Sequence, residues 1–213
     1  MSLRGGATKQ SILFEIALLR YSTFAMTDSL ETLNFELLNL KQKNIYLRPL
    51  EPEDLDFLYE TENNPDIWEL SSNQTPYSRF VLKQYIERTL SEDIYSLKEL
   101  RLVICKTDDD SKIGLIDLFD FDPKNKRTGV GILISDEKNR GLGYASEALK
   151  TLIDYAFKTL QLHQLFCNIL TENKESTNLF LKHNFKQIGI KKDWIFDGKN
   201  YKDEILFQLI NEK

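Results

Sequence analysis

Hydrophobic and polar positions follow two different periods along the chain from residue 43 onward. Short apolar runs rich in β-branched and aromatic residues predict strands at 44–50, 100–106, 113–121, 127–135, 163–170, 185–196 and 200–210. Longer stretches with apolar residues three and four positions apart predict helices at 51–63, 77–91, 145–160 and 174–183. The predicted order is β-α-α-β-β-β-α-β-α-β-β, a single-domain α/β fold of the α+β type with one mixed sheet. Asp197-Gly198 predicts a hairpin between the last two strands.

The first 42 residues do not follow this pattern, so we predict an N-terminal extension over 1–42 and one domain over 43–213. Residues 1–25 have a basic start and a short apolar stretch, but Glu15 and Arg20 interrupt it, which disfavours a secretory signal. Met26 is a second possible start. The residues before it are then either an extension foreign to the natural protein or a terminal helix, and the sequence leaves both open.

Composition and charge narrow the class of protein. The chain has 213 residues, of which 41% are hydrophobic and 29% charged, the balance of one globular domain. Its formal net charge of −5 disfavours nucleic acid as a partner and favours small cations. No apolar run has the length of a transmembrane helix, so we expect no membrane partner. Cys105 and Cys167 lie in apolar runs and predict buried, reduced thiols in a cytoplasmic protein, and the histidines share no metal-ligand spacing.

The segment 137–146, EKNRGLGYAS, joins the apolar run GVGILIS to a helix. Unpaired backbone N–H groups and the positive end of the helix dipole meet at such a junction. Gly141 and Gly143 leave that backbone open to a ligand and Arg140 adds a positive charge, which favours phosphate or pyrophosphate binding. A Walker loop would end in Gly-Lys-Ser/Thr, and a dinucleotide fingerprint would need a third glycine. A tight turn alone explains Gly143 but not the whole set.

Residues 140–145, RGLGYA, resemble the pyrophosphate loop of the GNAT superfamily of N-acetyltransferases, with its Gln/Arg-x-x-Gly-x-Gly/Ala pattern. Residues 172–185, ENKESTNLFLKHNF, are similar to the segment in which these enzymes have Glu-Asn, a serine and a Gly-Phe pair. The resemblance covers about residues 43–210, since the order of elements also matches. It is strongest to ribosomal-protein N-terminal acetyltransferases and spermidine N-acetyltransferases.

The resemblance implies direct transfer of an acetyl group from acetyl-CoA, as co-substrate, to a primary amine in a ternary complex. The amine remains open between a polyamine, a protein N-terminus and another small molecule. By the same resemblance, backbone groups before the loop take the pantetheine arm and the loop takes the pyrophosphate. The implied contacts with acetyl-CoA are Ile132, Leu133, Ile134, Arg140, Gly141, Leu142, Gly143, Tyr144, Ala145, Asn173, Ser176, Phe180 and Lys182. A helix N-cap for Asn173 and a solvated position for Lys182 are equally compatible with the sequence.

The catalytic groups are harder to assign. Asp117 and Asp120 stand on one strand among apolar residues, and alternation places them on opposite faces, so either could be the base; we take Asp117 as the candidate. Phe180 stands where many relatives have a tyrosine that protonates the leaving thiolate, and phenylalanine cannot donate a proton. Ser176 or water is the substitute. The acidic run 51–60 could gather a cation, or could be a solvated helix face.

Two other functions compete with acetyl transfer. A non-catalytic domain that senses coenzyme A would account for Phe180, and a nucleotide-binding protein would use the same glycine loop. For the acetyltransferase we expect an acceptor pocket shaped by the loop 63–76 with Trp68 and Tyr77, and no metal. Edge strands and the C-terminal hairpin are compatible with a homodimer.

Overall fold

The computed structural model of the protein describes residues 40–68 and 75–212. These belong to one compact unit, Leu40–Lys213, and the predictions on residues 1–25 lie outside the described residues. The strands are β1 (Ile45–Pro49), β2 (Leu100–Lys106), β3 (Lys112–Asp122), β4 (Arg127–Ile134), β5 (Gln164–Leu170), β6 (Lys186–Phe196) and β7 (Tyr201–Ile210). The helices are α1 (Leu55–Glu62), α2 (Pro65–Trp68), α3 (Arg79–Ser91), α4 (Ile94–Leu97), α5 (Tyr144–Lys158) and α6 (Lys174–Lys182), with 3-10 turns at Pro52–Asp54 and Glu137–Asn139.

The predicted order of strands and long helices is confirmed. Within residues 40–68 and 75–212, the elements that the sequence did not predict are α2, α4 and the 3-10 turn Glu137–Asn139, each too brief to show a helical period. The other 3-10 turn, Pro52–Asp54, lies inside the predicted helix 51–63. The hairpin between β6 and β7 is also confirmed, with a four-residue loop over 197–200. Gly198 adopts a φ of +94°, and the Asp197 carboxylate accepts the N–H groups of Lys199 and Asn200 at 2.9 and 2.8 Å.

All seven strands form one sheet in the order β1-β2-β3-β4-β5-β7-β6. Neighbours are antiparallel except β4 and β5, which run parallel and pair over three positions, from Arg127↔Gln164 to Gly129↔Phe166. Beyond Gly129 β4 continues to Ile134 and β5 to Leu170, with no further pairing between them in the described part of the chain. The sheet therefore forks at its centre, at the carboxyl ends of two parallel strands, a common position for ligand binding in α/β proteins.

Aromatic rings fill the vertex of this fork. Gly129 has no side chain, and the Phe119 ring occupies the space, 2.3 Å from where a Cβ would stand. Phe119 in turn packs edge-on against Phe166 of β5, with ring centroids 5.8 Å apart. Glycine at this position thus lets a ring from β3 reach across β4 to β5.

Helices pack against the sheet through the apolar stripes that the sequence predicts. On α5, Ala148, Leu149, Leu152 and Ala156 are buried, and the helix contacts β1, β3 and β4. Helices α1 and α3 cover Val103, Cys105 and Leu115 of the sheet through Leu58, Leu82 and Ile86. Cys105 and Cys167 are both buried and free, as predicted. No helix among residues 40–68 and 75–212 is long and apolar enough to cross a membrane.

Candidate active site

The fork between β4 and β5 opens into a cavity of about 580 Å³. Its walls come from the end of α1, from α2, the central strands and α6, and from the hairpin of β6 and β7. Among the residues that the sequence predicted for the site, it brings together Asp117, Ile132, Leu133, Asn173, Ser176 and Phe180. A cleft of this size is in the range of small-ligand sites.

The β4 side of the cavity presents backbone as well as side chains. Ile132 and Leu133 pair with Ile116 and Leu115 of β3 on one side, while their other side faces the fork. Backbone groups that would bond to β5 in an unbroken sheet therefore remain open to a ligand. Ile134, the third predicted contact on this strand, is 8% exposed and is not a wall of the cavity.

The glycine loop follows the carboxyl end of β4 and opens α5. Gly141 and Gly143 adopt φ values of +72° and +89°, and a Cβ at either position would have no atom within 4 Å. The first bond of α5 runs from the Glu147 N–H to the Gly143 carbonyl at 3.1 Å. The N–H groups of the three residues between them therefore point out of the first turn, beside two open glycines, an arrangement that suits a phosphate.

The other loop residues are placed around this opening. Arg140 donates through Nε to the Ile134 carbonyl at 3.2 Å, which anchors its stem to the end of β4. Leu142 is 61% exposed, and Tyr144 and Ala145 are half-buried in the first turn of α5. None of the residues 140–145 is a wall of the cavity. The glycine loop therefore lies outside the cavity, although it follows β4 in the chain.

A hydrogen bond that the sequence analysis missed links the loop helix to α6. Ser146 Oγ, in the first turn of α5, lies 2.9 Å from Nε2 of His183, which caps the carboxyl end of α6. Burial, and then Lys182 and Lys150, lower the pKa of His183, so the imidazole favours its neutral form. Lys182 is exposed and is not a wall of the cavity; it directly precedes His183 in the chain.

Helix α6 presents its first turn to the cavity. The Asn173 side chain accepts the Ser176 N–H at 2.9 Å, so it is an N-cap and also a wall of the cavity. Ser176 is half-buried beside it. Phe180 is 3% exposed and packs edge-on against Phe185, with ring centroids 4.9 Å apart. Phe180 therefore supplies an apolar wall where a tyrosine would bring a hydroxyl.

Asp117 lies in the cavity beside β4 but is not a free carboxylate. Its Oδ2 is 3.8 Å from the position that a Cβ of Gly131 would take. Arg101 of β2 donates to both of its oxygens, from Nε at 2.9 Å and from Nη2 at 3.1 Å. The alternative candidate, Asp120, is exposed with a φ of +50°, where the pairing of β3 with β4 becomes irregular. The structure therefore favours Asp117 over Asp120 by position.

Arg101 also binds a second carboxylate, that of Glu62. Its Nη1 donates to Glu62 Oε1 at 2.6 Å, and its guanidinium lies 5.5 Å from the centre of the Tyr85 ring. Burial lowers the pKa of Arg101, but the Asp117 carboxylate and the other neighbouring acidic groups outweigh this and raise it well above its ordinary value. Arg101 is therefore a permanent cation in the cavity wall.

The cavity as a whole is acidic. Four carboxylates line it, those of Glu62, Glu99, Asp117 and Glu204, against the single guanidinium of Arg101 among its described walls. Glu204 is also paired with Lys191 at 2.7 Å. Apart from Asp117 these residues were not predicted, because they come from α1, β2 and β7 and share no local motif. Arg101 could have been predicted only from the register between β2 and β3, which places it opposite Asp117.

The acidic residues at 51–60, which the sequence offered as a group that could gather a cation, do not line the cavity. Asp54 is buried against Arg48 and Lys112, and exposed Asp56 pairs with Arg79. Of the predicted acceptor loop 63–76, Ile67 lines the cavity. Residues 69–74 and the Trp68 side chain lie outside the described residues, and the backbone of Tyr77 bonds to Asn63.

A mixed sheet that forks between two parallel strands, followed by a glycine loop at the start of a helix, offers an open strand backbone and a phosphate site, which suits a coenzyme A-dependent acyltransferase. The family model "Acetyltransferase (GNAT) domain" matches residues 44–186, and the chain belongs to this family. It is an N-acetyltransferase with acetyl-CoA as its co-substrate. This favours acetyl transfer over the sensor and nucleotide-binding alternatives.

Curated relatives and solved structures similar to this chain are also N-acetyltransferases. The chain is 29% identical over 163 residues to spermidine N(1)-acetyltransferase of Escherichia coli K12, covering 76% of this chain and 83% of that protein. It is 27% identical over 169 residues to the spermidine N(1)-acetyltransferase of Vibrio cholerae, covering 78% and 93%. Spermidine N-acetyltransferase from V. cholerae in complex with CoA and spermine has the same fold, with a TM-score of 0.69 and 24% identity over 78% of this chain and 95% of that chain.

Proposed function

We propose that this N-acetyltransferase acetylates a primary amine of a polyamine. The observation that carries the proposal is the acidic cavity, in which four carboxylates surround the fork beside β4. A polyamine keeps at least one ammonium while its reacting amine is neutral, and clustered carboxylates attract such a ligand. The names of the two curated relatives support the same substrate class.

We propose the following roles for the site residues. Backbone groups of Ile132, Leu133 and Ile134 bind the pantetheine arm and an N–H there faces the thioester oxygen. Residues 140–145 take the pyrophosphate, because the open glycines leave the first-turn N–H groups accessible. Asn173, Ser176 and Phe180 complete the pantetheine wall, and Lys182 adds positive charge near the phosphates.

The chemistry requires an amine nitrogen to attack the thioester carbon, the C–S bond to break and the amine to lose a proton. Asp117 is our candidate for the proton acceptor, directly or through water, because it lies beside β4 in the cavity. Phe180 cannot protonate the leaving thiolate. A thiol is acidic enough to leave as the thiolate, so Ser176 or water suffices as the later proton donor.

Thiol release from acetyl-CoA in the presence of single amines tests this function. We expect release with spermidine and spermine, and much weaker release with n-butylamine or a peptide with a free N-terminus. Glu99→Gln and Glu204→Gln should raise the KM for spermidine and leave the KM for acetyl-CoA unchanged. Acetylation of the peptide in preference to polyamines would refute the proposed acceptor. Binding of acetyl-CoA without thiol release from any amine would revive the sensor alternative.

Three further properties stay proposals. We propose that the acetyltransferase domain is 43–213, supported by a family match that begins at residue 44, and that a chain starting at Met26 keeps full activity. Two buried free cysteines support a reducing, cytoplasmic location. Exposed apolar residues on the edge strand β6, among them Trp194 and Phe196, support self-association, and one solved spermidine N-acetyltransferase from V. cholerae is a dodecamer. Light scattering on the purified chain would measure its mass in solution.

A further inference from the structure

Arg101 holds two carboxylates of the acidic cavity at once. It donates two hydrogen bonds to Asp117, at 2.9 and 3.1 Å, and one to Glu62, at 2.6 Å. The three side chains are between 19% and 25% exposed, so the cluster is partly shielded from water but reachable from the cavity. Such a charge-assisted, bidentate pair is stronger than an exposed ion pair.

This arrangement conflicts with the use of the same carboxylates for a substrate. A guanidinium that donates to both oxygens of Asp117 covers the atoms that would take a substrate proton, and it offsets the negative charge that would attract an incoming ammonium. The Arg101 side chain cannot lose its own charge at physiological pH. An acceptor can therefore bind these carboxylates only if it replaces the guanidinium with a positive charge of its own.

We propose that Arg101 is a specificity-determining residue that occupies the carboxylate pair before an acceptor binds and yields it only to an acceptor with a second positive charge. The proposal rests on the polyamine function proposed above. A monoamine must become neutral before it attacks, so its reactive form carries no charge that can displace Arg101. A polyamine retains an ammonium elsewhere in the molecule, which binds Glu62 or Asp117 while the reacting nitrogen is neutral.

The displacement also gives Arg101 a positioning role toward Asp117. The Tyr85 ring of α3 lies 5.5 Å from the Arg101 guanidinium, and Glu99, directly before β2, and Glu204 of β7 line the same cavity. Arg101 is the cation that holds Asp117, through two hydrogen bonds at 2.9 and 3.1 Å. Release of Arg101 by a polyamine frees an oxygen of Asp117 beside β4.

The test compares spermidine with n-butylamine as acceptors for the wild type and for Arg101→Gln. We expect the KM for spermidine to fall in the variant, and the ratio of kcat/KM for spermidine over n-butylamine to fall about tenfold. The KM for acetyl-CoA should not change. Arg101→Lys keeps the charge and should retain most of the selectivity.

Arg88→Gln is the matched control, because Arg88 pairs with Glu92 on the exposed face of α3 and its loss changes the net charge equally. If Arg101→Gln does not fold, Arg101→Gln with Glu62→Gln restores the local charge balance and allows the same comparison. A raised KM for spermidine with an unchanged selectivity ratio would overturn the role of Arg101 and leave the polyamine function intact. A wild type that acetylates no polyamine would overturn both.

Discussion

The buried ion pairs of Asp54 give a stability prediction that can be worked through from the structure. Asp54 is 1% exposed and accepts from both terminal nitrogens of Arg48, at 2.6 and 2.8 Å, and from Lys112 at 3.1 Å. The Glu51 N–H adds a further bond at 2.9 Å. Asp54→Asn keeps the shape of the side chain but leaves two cations beside a neutral amide. The network fixes the start of α1, whose last residue, Glu62, lines the cavity.

The size of the effect follows from the pKa of Asp54. Burial alone raises this pKa, but the bonds from Arg48, the Glu51 N–H and Lys112 outweigh burial and lower it from the ordinary 3.8 to about 2. At about 1.4 kcal/mol for each pKa unit, ionised Asp54 stabilises the fold by roughly 2 to 3 kcal/mol. Removing one partner of a buried ion pair gives a similar range of about 3 to 5 kcal/mol.

The sign of the pH dependence is set by the lowered pKa. Because Asp54 ionises more readily in the folded than in the unfolded chain, its stabilisation is complete above about pH 4 and is lost as the pH falls toward 2. The free-energy gap between wild type and Asp54→Asn should therefore shrink by roughly 1 kcal/mol between pH 7 and pH 3. Other carboxylates titrate equally in both proteins and cancel in the difference.

Urea unfolding at pH 7 and pH 3 measures this gap. Asp56→Asn is the matched control, since Asp56 lies on the same helix, is 75% exposed and pairs with Arg79, and we expect its effect to stay within about 0.5 kcal/mol. Equal destabilisation by the two variants at pH 7 would refute the reasoning. A gap for Asp54→Asn that stays constant down to pH 3 would refute the assigned cause.

Three further predictions concern the site. Gly143→Ala forces a methyl group onto a φ of +89°. It should lower the free energy of unfolding by about 1 to 2 kcal/mol and weaken acetyl-CoA binding in calorimetry, whereas unchanged affinity would argue against the loop as the phosphate site. Phe180→Tyr should change kcat by less than about threefold, because a thiolate leaves readily without an acid; a rise of a hundredfold would show that protonation limits the wild type. His183→Gln should make the stability of the fold less sensitive to acid. Because the pKa of His183 is lowered below 6.5 in the folded chain, the wild type loses stability relative to the variant as the pH falls below 6.5. Urea unfolding midpoints at pH 7.5 and 5.5 would measure this difference.

Much of the fold could be predicted from the sequence because its elements are set by local period. The apolar stripe of α5 and the alternating strands determine which face of each element is buried, whatever the element packs against. The glycine loop could be recognised for a similar reason: an open backbone at a helix start is a property of a few consecutive residues. The alternation along β3 does not show that Asp120 lies where the pairing with β4 becomes irregular.

The charge of the cavity was decided by the tertiary structure. Glu62, Arg101 and Asp117 meet because β2 pairs with β3 in one register and because α1 ends above that pair. Glu204 joins them because β7 inserts between β5 and β6 in the sheet. Each of these residues is an ordinary surface type in its own segment. Ion pairing depends on the distance between charges in space, which strand order and register determine, whereas the periods of the sequence record only burial along each element.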